Sequence, residues 1–328
     1  MKNSLLFVIL LLLLGLSMVV ALSVGQYPIE SSMWIAFLQG EASDVMHTIV
    51  VELRLPRILA ALLVGAALAI SGSAFQSMFV NPLVSPSLLG VLAGASFGAA
   101  LGIVWEQSWW GVQFLTFVFG ALAVLVAMGI ASMYRGGSTV LLLVLGGIVS
   151  SALFTSLLSI VKYAADPYTH LPSIVYWLMG SFSMVEWDTL GMVALPMALG
   201  MVTLVVLGSY INVLSMGDEE AKALGVNVTR VRIIAIGAAT LISSLTVVVA
   251  GVIGWVGLVI PHIARMIVGP NNRVLLPMSA LMGGLYLLWI DTATRTLFRA
   301  EVPIGILTAL VGIPVFVLLL REGKKGWN

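Results

Sequence analysis

Apolar residues gather in runs near 5–25, 58–79, 87–104, 112–133, 140–161, 190–208, 231–250, 252–268, 274–290 and 304–320, and the stretches between them hold most of the charge. A helix needs about 20 apolar residues to cross a bilayer core. The pattern therefore predicts an all-α polytopic membrane protein with about ten transmembrane helices, folded as a single transmembrane domain over 1–328. Several runs are short or adjoin Gly and Pro, and such breaks are tolerated at membrane depth only where protein surrounds them. The least defined boundary is the Gly251, Gly254, Gly257 stretch. The first run follows Lys2 and invites comparison with a signal peptide, but its apolar core exceeds the usual ~7–15 residues and no small-x-small cleavage site follows. It is expected to be the first transmembrane helix.

Between these runs one compact polar helix stands out, Met216-Gly-Asp-Glu-Glu-Ala-Lys-Ala-Leu-Gly-Val226. Asp218, Glu219 and Glu220 would complement the positive end of a helix dipole in its first turn, and Gly225 suits a C-terminal stop. A helix of this polarity must face water, which makes it a candidate handle for a soluble partner.

Composition agrees with the pattern. Hydrophobic residues make up 60% and charged residues 9%, against about a quarter charged in soluble domains. No basic patch supports a nucleic-acid role. The chain has no cysteine, which excludes disulfides and thiolate chemistry, and its three histidines (47, 170, 262) are scattered, so a bare metal ion would find few ligands.

Lys and Arg set the orientation. With the N-terminus inside, Lys2, Arg135, Lys222, Arg230, Arg232, Arg265, Arg273, Arg321, Lys324 and Lys325 are cytoplasmic, and Arg54, Arg57, Lys162, Arg295 and Arg299 are external. Ten against five puts both termini and the loop at about 209–230 in the cytoplasm. The segment 26–50 is expected to be an external connector with one surface helix, and 164–188, with Trp177 and Trp187, an interfacial segment. Gly94, Gly98, Gly102 and the set Gly65, Ala69, Ser73 are small residues four apart, read mainly as helix-packing faces.

The external arginines are the anomaly. Arg54 and Arg57 share a helix face, and Arg295 follows Asp291 at helical spacing. Two roles suit them: local ion pairing, or a docking surface for an acidic external partner. The apolar runs carry no ionisable residue at their centres, whereas ion-coupled carriers use such groups as relays. This favours an energy source outside the membrane. Ser71-Gly72 is no nucleophile elbow and no Gly-x-x-x-x-Gly-Lys loop is present, so no enzyme set is legible and nucleotide chemistry must belong to another chain.

The ordered motifs Arg54-Leu-Pro-Arg57, Gly65-Ala-Ala-Leu-Ala-Ile-Ser-Gly72, Asn81-Pro-Leu-Val-Ser-Pro86, Trp177-Leu-Met-Gly-Ser181, Gly217-Asp-Glu-Glu-Ala221, Gly257-Leu-Val-Ile-Pro-His-Ile-Ala-Arg265, Glu301-Val-Pro-Ile-Gly-Ile-Leu-Thr308 and Gly312-Ile-Pro-Val-Phe316 resemble the FecCD-type permeases of iron-chelate, haem and vitamin B12 ABC importers. The resemblance covers roughly 45–320. It implies a place for this chain in the cytoplasmic (inner) membrane, with a second permease subunit, two cytoplasmic ATPase subunits that hold ATP and Mg, and an external substrate-binding protein; no cofactor is implied for this chain. It further implies binding-protein docking by Arg54, Arg57 and Arg295, and ATPase docking by Gly217, Asp218, Glu219, Glu220, Ala221, Leu224 and Gly225. Asn81, Leu83, Ser138 and Thr139 match positions near a cytoplasmic gate, although Val140 stands where the family pattern has a basic residue. The expected cargo is an Fe(III)–siderophore, with haem or cobalamin as alternatives. An ion-coupled carrier and a membrane receptor that moves nothing are the rivals from other classes.

Overall fold

The computed structural model describes residues 2–133, 139–297 and 300–322, and among these all regular structure is helical. Each apolar run has its helix. Those from α1 (Lys2–Ser23) to α14 include seven long and apolar enough to cross a membrane, and three shorter apolar helices account for the remaining runs: α5 (Val91–Val104), α13 (Val256–Val268) and most of α15 (Ile304–Glu322). The gap between α12 (Val228–Ala250) and α13 coincides with the glycine break, where Gly251 adopts φ 66° and ψ −156°. The expected single surface helix in 26–50 is α2 (Ser31–Gln39), but the connector is shorter than read. From α3 (Asp44–His47) a continuous helical path runs through a π-helical turn at Thr48–Arg54 into α4 (Leu55–Met78).

Pro56 accounts for the chemistry of that turn. In a π pattern the Val51 carbonyl would accept from residue 56, whose proline nitrogen has no hydrogen. The indole Nε1 of Trp187 donates to that carbonyl instead, at 2.9 Å, from the first turn of α9 (Trp187–Val206).

Helix α4 is the axis of the molecule. Its span is 78% buried, as is that of α12, whereas α1 is 11% buried and both α6 (Trp109–Met133) and α7 (Thr139–Ala164) are 28% buried, leaving apolar side chains on the outside. Small residues allow this. A Cβ on Gly65 would enter the Gly283 carbonyl of α14 (Asn272–Thr296), and one on Gly72 would enter the Gly257 carbonyl of α13. About two turns beyond Gly65 on the same face, the Ser73 and Ser279 hydroxyls lie 2.7 Å apart. Gly65, Ala69 and Ser73 thus form the α4–α14 crossing. In the same way Gly94 and Gly98 lie against the Phe119 and Leu115 carbonyls of α6. The packing reading of both small-residue faces holds, and neither lines an open passage.

Direct backbone contact makes these positions intolerant of one added methyl. Gly65→Ala should destabilise the fold by about 1–3 kcal/mol, the usual cost of overpacking. Gly129→Ala, where nothing lies within 4 Å of the new atom, should be close to neutral. Unfolding midpoints in detergent for the two variants check the contrast.

Candidate functional site

The polar residues collect at the two ends of α4. At the Arg57 end α1 stops at Ser23, α14 reaches Thr296, and the chain returns through Glu301 into α15. Arg57 donates through Nε to Asp291 at 2.9 Å and through Nη1 to both Glu301 oxygens at 2.9 and 3.0 Å. Arg295 Nε lies 3.2 Å from the second Asp291 oxygen, and its Nη2 donates to the Ala21 carbonyl. Arg54 donates to the Leu22 and Tyr27 carbonyls at 2.6 and 2.7 Å, capping the end of α1. Asp291 is wholly buried, and the three arginines are only 6–8% exposed.

This is the ion-pairing arrangement, and it differs from an open docking patch. The apolar run ended before Asp291, but α14 continues past it and carries it into the protein, so Arg57 and Arg295 must turn inward to neutralise it. What these arginines offer the outside is the wall of a cavity of about 280 Å³ that they share with Tyr27, Ser183 and Glu301.

At the Ser77 end, α9 is followed by α10 (Gly208–Leu214) and α11 (Asp218–Ala223). The acidic stretch forms the expected helix. Gly217 enters it at φ 120°, and Gly225, at φ 78°, follows the Leu224 cap. Asp218 and Arg232 of α12 form a two-bond pair at 2.6 and 3.1 Å. Hydrogen bonds from this guanidinium hold the Asp218 carboxyl below its ordinary range, against the opposing effect of partial burial. Ala221 is fully buried, so it anchors the helix and presents nothing to a partner, unlike the docking role that the motif implied for it. Glu219, Glu220, Leu224 and Gly225 are exposed, Leu224 to 61%. Of the residues expected to dock, these four face outward, beside exposed Lys222 and Ala223.

Asn81 and Leu83 lie in the turn after α4, both exposed, and the Asn81 side chain accepts from the Leu83 backbone at 2.9 Å. Val80 before them takes a left-handed φ of 47°. Ser138 lies outside the described residues, as does the side chain of Thr139.

A hydrogen-bonded set beside α11 was not anticipated from the sequence. The Asn212 side-chain oxygen accepts from the Asn272 backbone and side chain at 2.7 and 2.9 Å, and the Asn272 oxygen accepts from Ser77 of α4 at 2.8 Å. Arg265 of α13 also donates to the Ser77 hydroxyl, at 3.2 Å. The Asn271-Asn272-Arg273 cluster was the available signal, since three polar residues opening an apolar helix need partners.

Two consequences are measurable. Asp291→Asn would leave Arg57 and Arg295 buried without their shared anion, a change that costs about 3–5 kcal/mol; Glu301→Gln, at the more exposed partner, should cost less than about 1 kcal/mol. Unfolding midpoints give the ranking. For Asp218 the folded pKa lies below the unfolded value of about 3.9. Its contribution is therefore complete at neutral pH and is lost as pH falls below about 4, through the folded value. With the carboxylate one-third exposed, it amounts to about 1 kcal/mol or less. Asp218→Asn should raise hydrogen exchange in 217–225 at pH 7, and the difference from the parent should shrink as the pH falls through the lowered folded pKa.

Comparison with known proteins places this architecture. A family model, the FecCD transport family, matches residues 10–322. The molybdate import system permease protein MolB of Haemophilus influenzae is 40% identical over 322 residues, covering 97% of this chain and 95% of that protein. A Helicobacter pylori permease assigned to iron chelatin transport is 39% identical over 285 residues, covering 87% of this chain and 86% of that one. A solved structure of a metal-chelate type ABC transporter in an inward-facing conformation matches with a TM-score of 0.88 at 39% identity, covering 95% of this chain and 97% of that one.

Proposed function

The chain belongs to the FecCD transport family, permease subunits of ABC importers whose ATP hydrolysis is carried by separate subunits, and from that premise we propose that it moves a metal complex, first an Fe(III)–siderophore, across the inner membrane. In this reading all ten apolar helices cross the bilayer with both termini in the cytoplasm, in accord with the Lys and Arg bias, and a second permease subunit completes the pathway. A substrate-binding protein delivers at the outer end. There Arg54, Arg57 and Arg295 act from beneath the docking surface, holding α1, α4 and α14 together, and meet the partner through the wall of their shared cavity.

The observation that carries the proposal is the construction of α11. One side is fixed to the bundle by buried Ala221 and by the Asp218–Arg232 pair, and the other side presents Glu219, Glu220 and Leu224 to water. A partner ATPase gripping that face moves a rigidly attached element. ATP and Mg act on the partner; this chain holds its handle and responds by rearranging. Asn81 and Leu83, exposed at the end of α4, are positioned for a cytoplasmic gate.

Molybdate is a second reading of the cargo, favoured by the 40% identity to the Haemophilus permease over nearly the whole chain. Reconstitution with the ATPase and binding subunits decides between the two: ATP-driven uptake of a ferric hydroxamate that excess molybdate does not suppress supports the first cargo, and the reverse supports the second. Uptake driven by a proton or sodium gradient without the ATPase would overturn the importer reading. Glu219→Lys with Glu220→Lys should lower ATP-driven uptake about 5- to 150-fold, the usual span of a coupling free energy, with the unfolding midpoint unchanged.

A further inference from the structure

Three helices meet at one amide, and a fourth joins through its serine partner. Asn272, 1% exposed at the start of α14, donates from its backbone and its side-chain nitrogen to Asn212 of α10, and accepts from Ser77 of α4, itself 3% exposed. Ser77 also receives Arg265 of α13. Alongside this hub the Arg273 Nε donates to the Ser209 hydroxyl of α10 at 2.6 Å, and Asn212 donates to the Asn271 side chain at 2.9 Å. A Cβ on Gly208 would lie 3.1 Å from the Asn272 carbonyl, so the α10 backbone rests on this segment. Only three residues separate α10 from α11.

We propose that Asn272 is the positioning residue through which displacement of α10 and α11 reaches α4, α13 and α14. The inference rests on the reading of α11 as the ATPase handle. Asn272 uses its donor and acceptor groups toward different helices at once, as only a carboxamide of this length can. Because these groups are withdrawn from water, breaking one contact without replacement costs about 1–3 kcal/mol. A shift of α10 therefore carries the α14 start and the α4 end with it. Glycine contacts along α4 then convey the shift to the outer end, because backbones in direct contact cannot slide past one another independently. The Asp218–Arg232 pair serves a different helix, α12, and lies nearer to water.

The chain has no cysteine, so introduced pairs label cleanly. In the reconstituted complex with its ATPase and binding subunits, spin labels at Ala223→Cys and Met133→Cys report α11, and labels at Val45→Cys and Tyr168→Cys report the outer end. Both distances should change on adding ATP to the parent. In Asn272→Leu the α11 distance should still change while the outer distance stays fixed, and ATP-driven uptake should fall about 5- to 150-fold. If Asn272→Leu does not fold, Asn272→Asp decides, because it keeps the acceptor for Ser77 and removes the side-chain donor to Asn212. The double variant Asn212→Ala/Asn272→Ala should lose no more uptake than the worse single variant, as expected of one shared interaction. An outer end that still responds in Asn272→Leu, or in Asn272→Asp where that variant decides, or additive losses, overturns the proposal. A merely structural Asn272 would lower the unfolding midpoint and leave the two distances responding together. An α11 label silent in the parent complex would overturn the handle reading, and the relay with it.

Discussion

Backbone contact along α4 is the constraint on which the remaining structure depends. Within a membrane, helix association gains little from hydrophobicity and relies on close packing. The chain meets this requirement where Gly65 touches Gly283 and Gly72 touches Gly257, with Ser73, the next residue, bonded to Ser279. Each crossing removes a side chain that would otherwise act as a compliant spacer. The helix that results is nearly as buried as a core strand, and from Arg57 to Ser77 it spans about 30 Å at 1.5 Å per residue. The two polar ends are thereby related through a stiff element.

The second constraint is that a polar group withdrawn from water needs a partner. It explains details that share no motif. Pro56 leaves the Val51 carbonyl without a π-helical donor, and Trp187 supplies one. The end of α1 exposes carbonyls, and Arg54 and Arg295 cap them. The start of α14 exposes amides, and Asn212 and the Asn271 side chain accept from them. Apart from the local Asn271 cap, the satisfying side chain comes from a different helix, so the same bonds that quench the polar group also fasten the bundle.

Much of this was legible in the sequence, for identifiable reasons. Helix positions were legible because hydrocarbon demands long apolar runs, and every run acquired its helix. The small-residue faces were legible because spacing of four marks one side of a helix. Residues 217–225 were legible because three acids open a helix in an otherwise apolar chain. Which way a side chain points was not. The Arg54 and Arg57 pattern is equally compatible with an outward patch and with an inward clasp, and only the continuation of α14 past Asp291 decides it. Ala221 sits inside a motif whose neighbours face water, and a helix of six residues has too little periodicity to show that it turns inward. The Asn212–Asn272 link joins residues 60 apart, and nothing local specifies that meeting.

The two ends differ in how they use charge, and the difference fits a machine driven from one side. At the outer end Arg57 and Arg295 are engaged with Asp291 and Glu301, and Arg54 with carbonyls, so little charge is left free and the assembly is clamped. At the inner end Glu219 and Glu220 have no ion-pair partner among the described residues and lie exposed on a helix that is held from behind. Between the ends α4 offers serines and glutamine, hydrogen-bonded to neighbouring helices and carrying no net charge. A pathway without ionisable relays cannot draw work from a proton gradient by titrating its own groups. On the proposed function, work comes instead from displacement of α11, a helix held from behind by buried Ala221 and the Asp218–Arg232 pair.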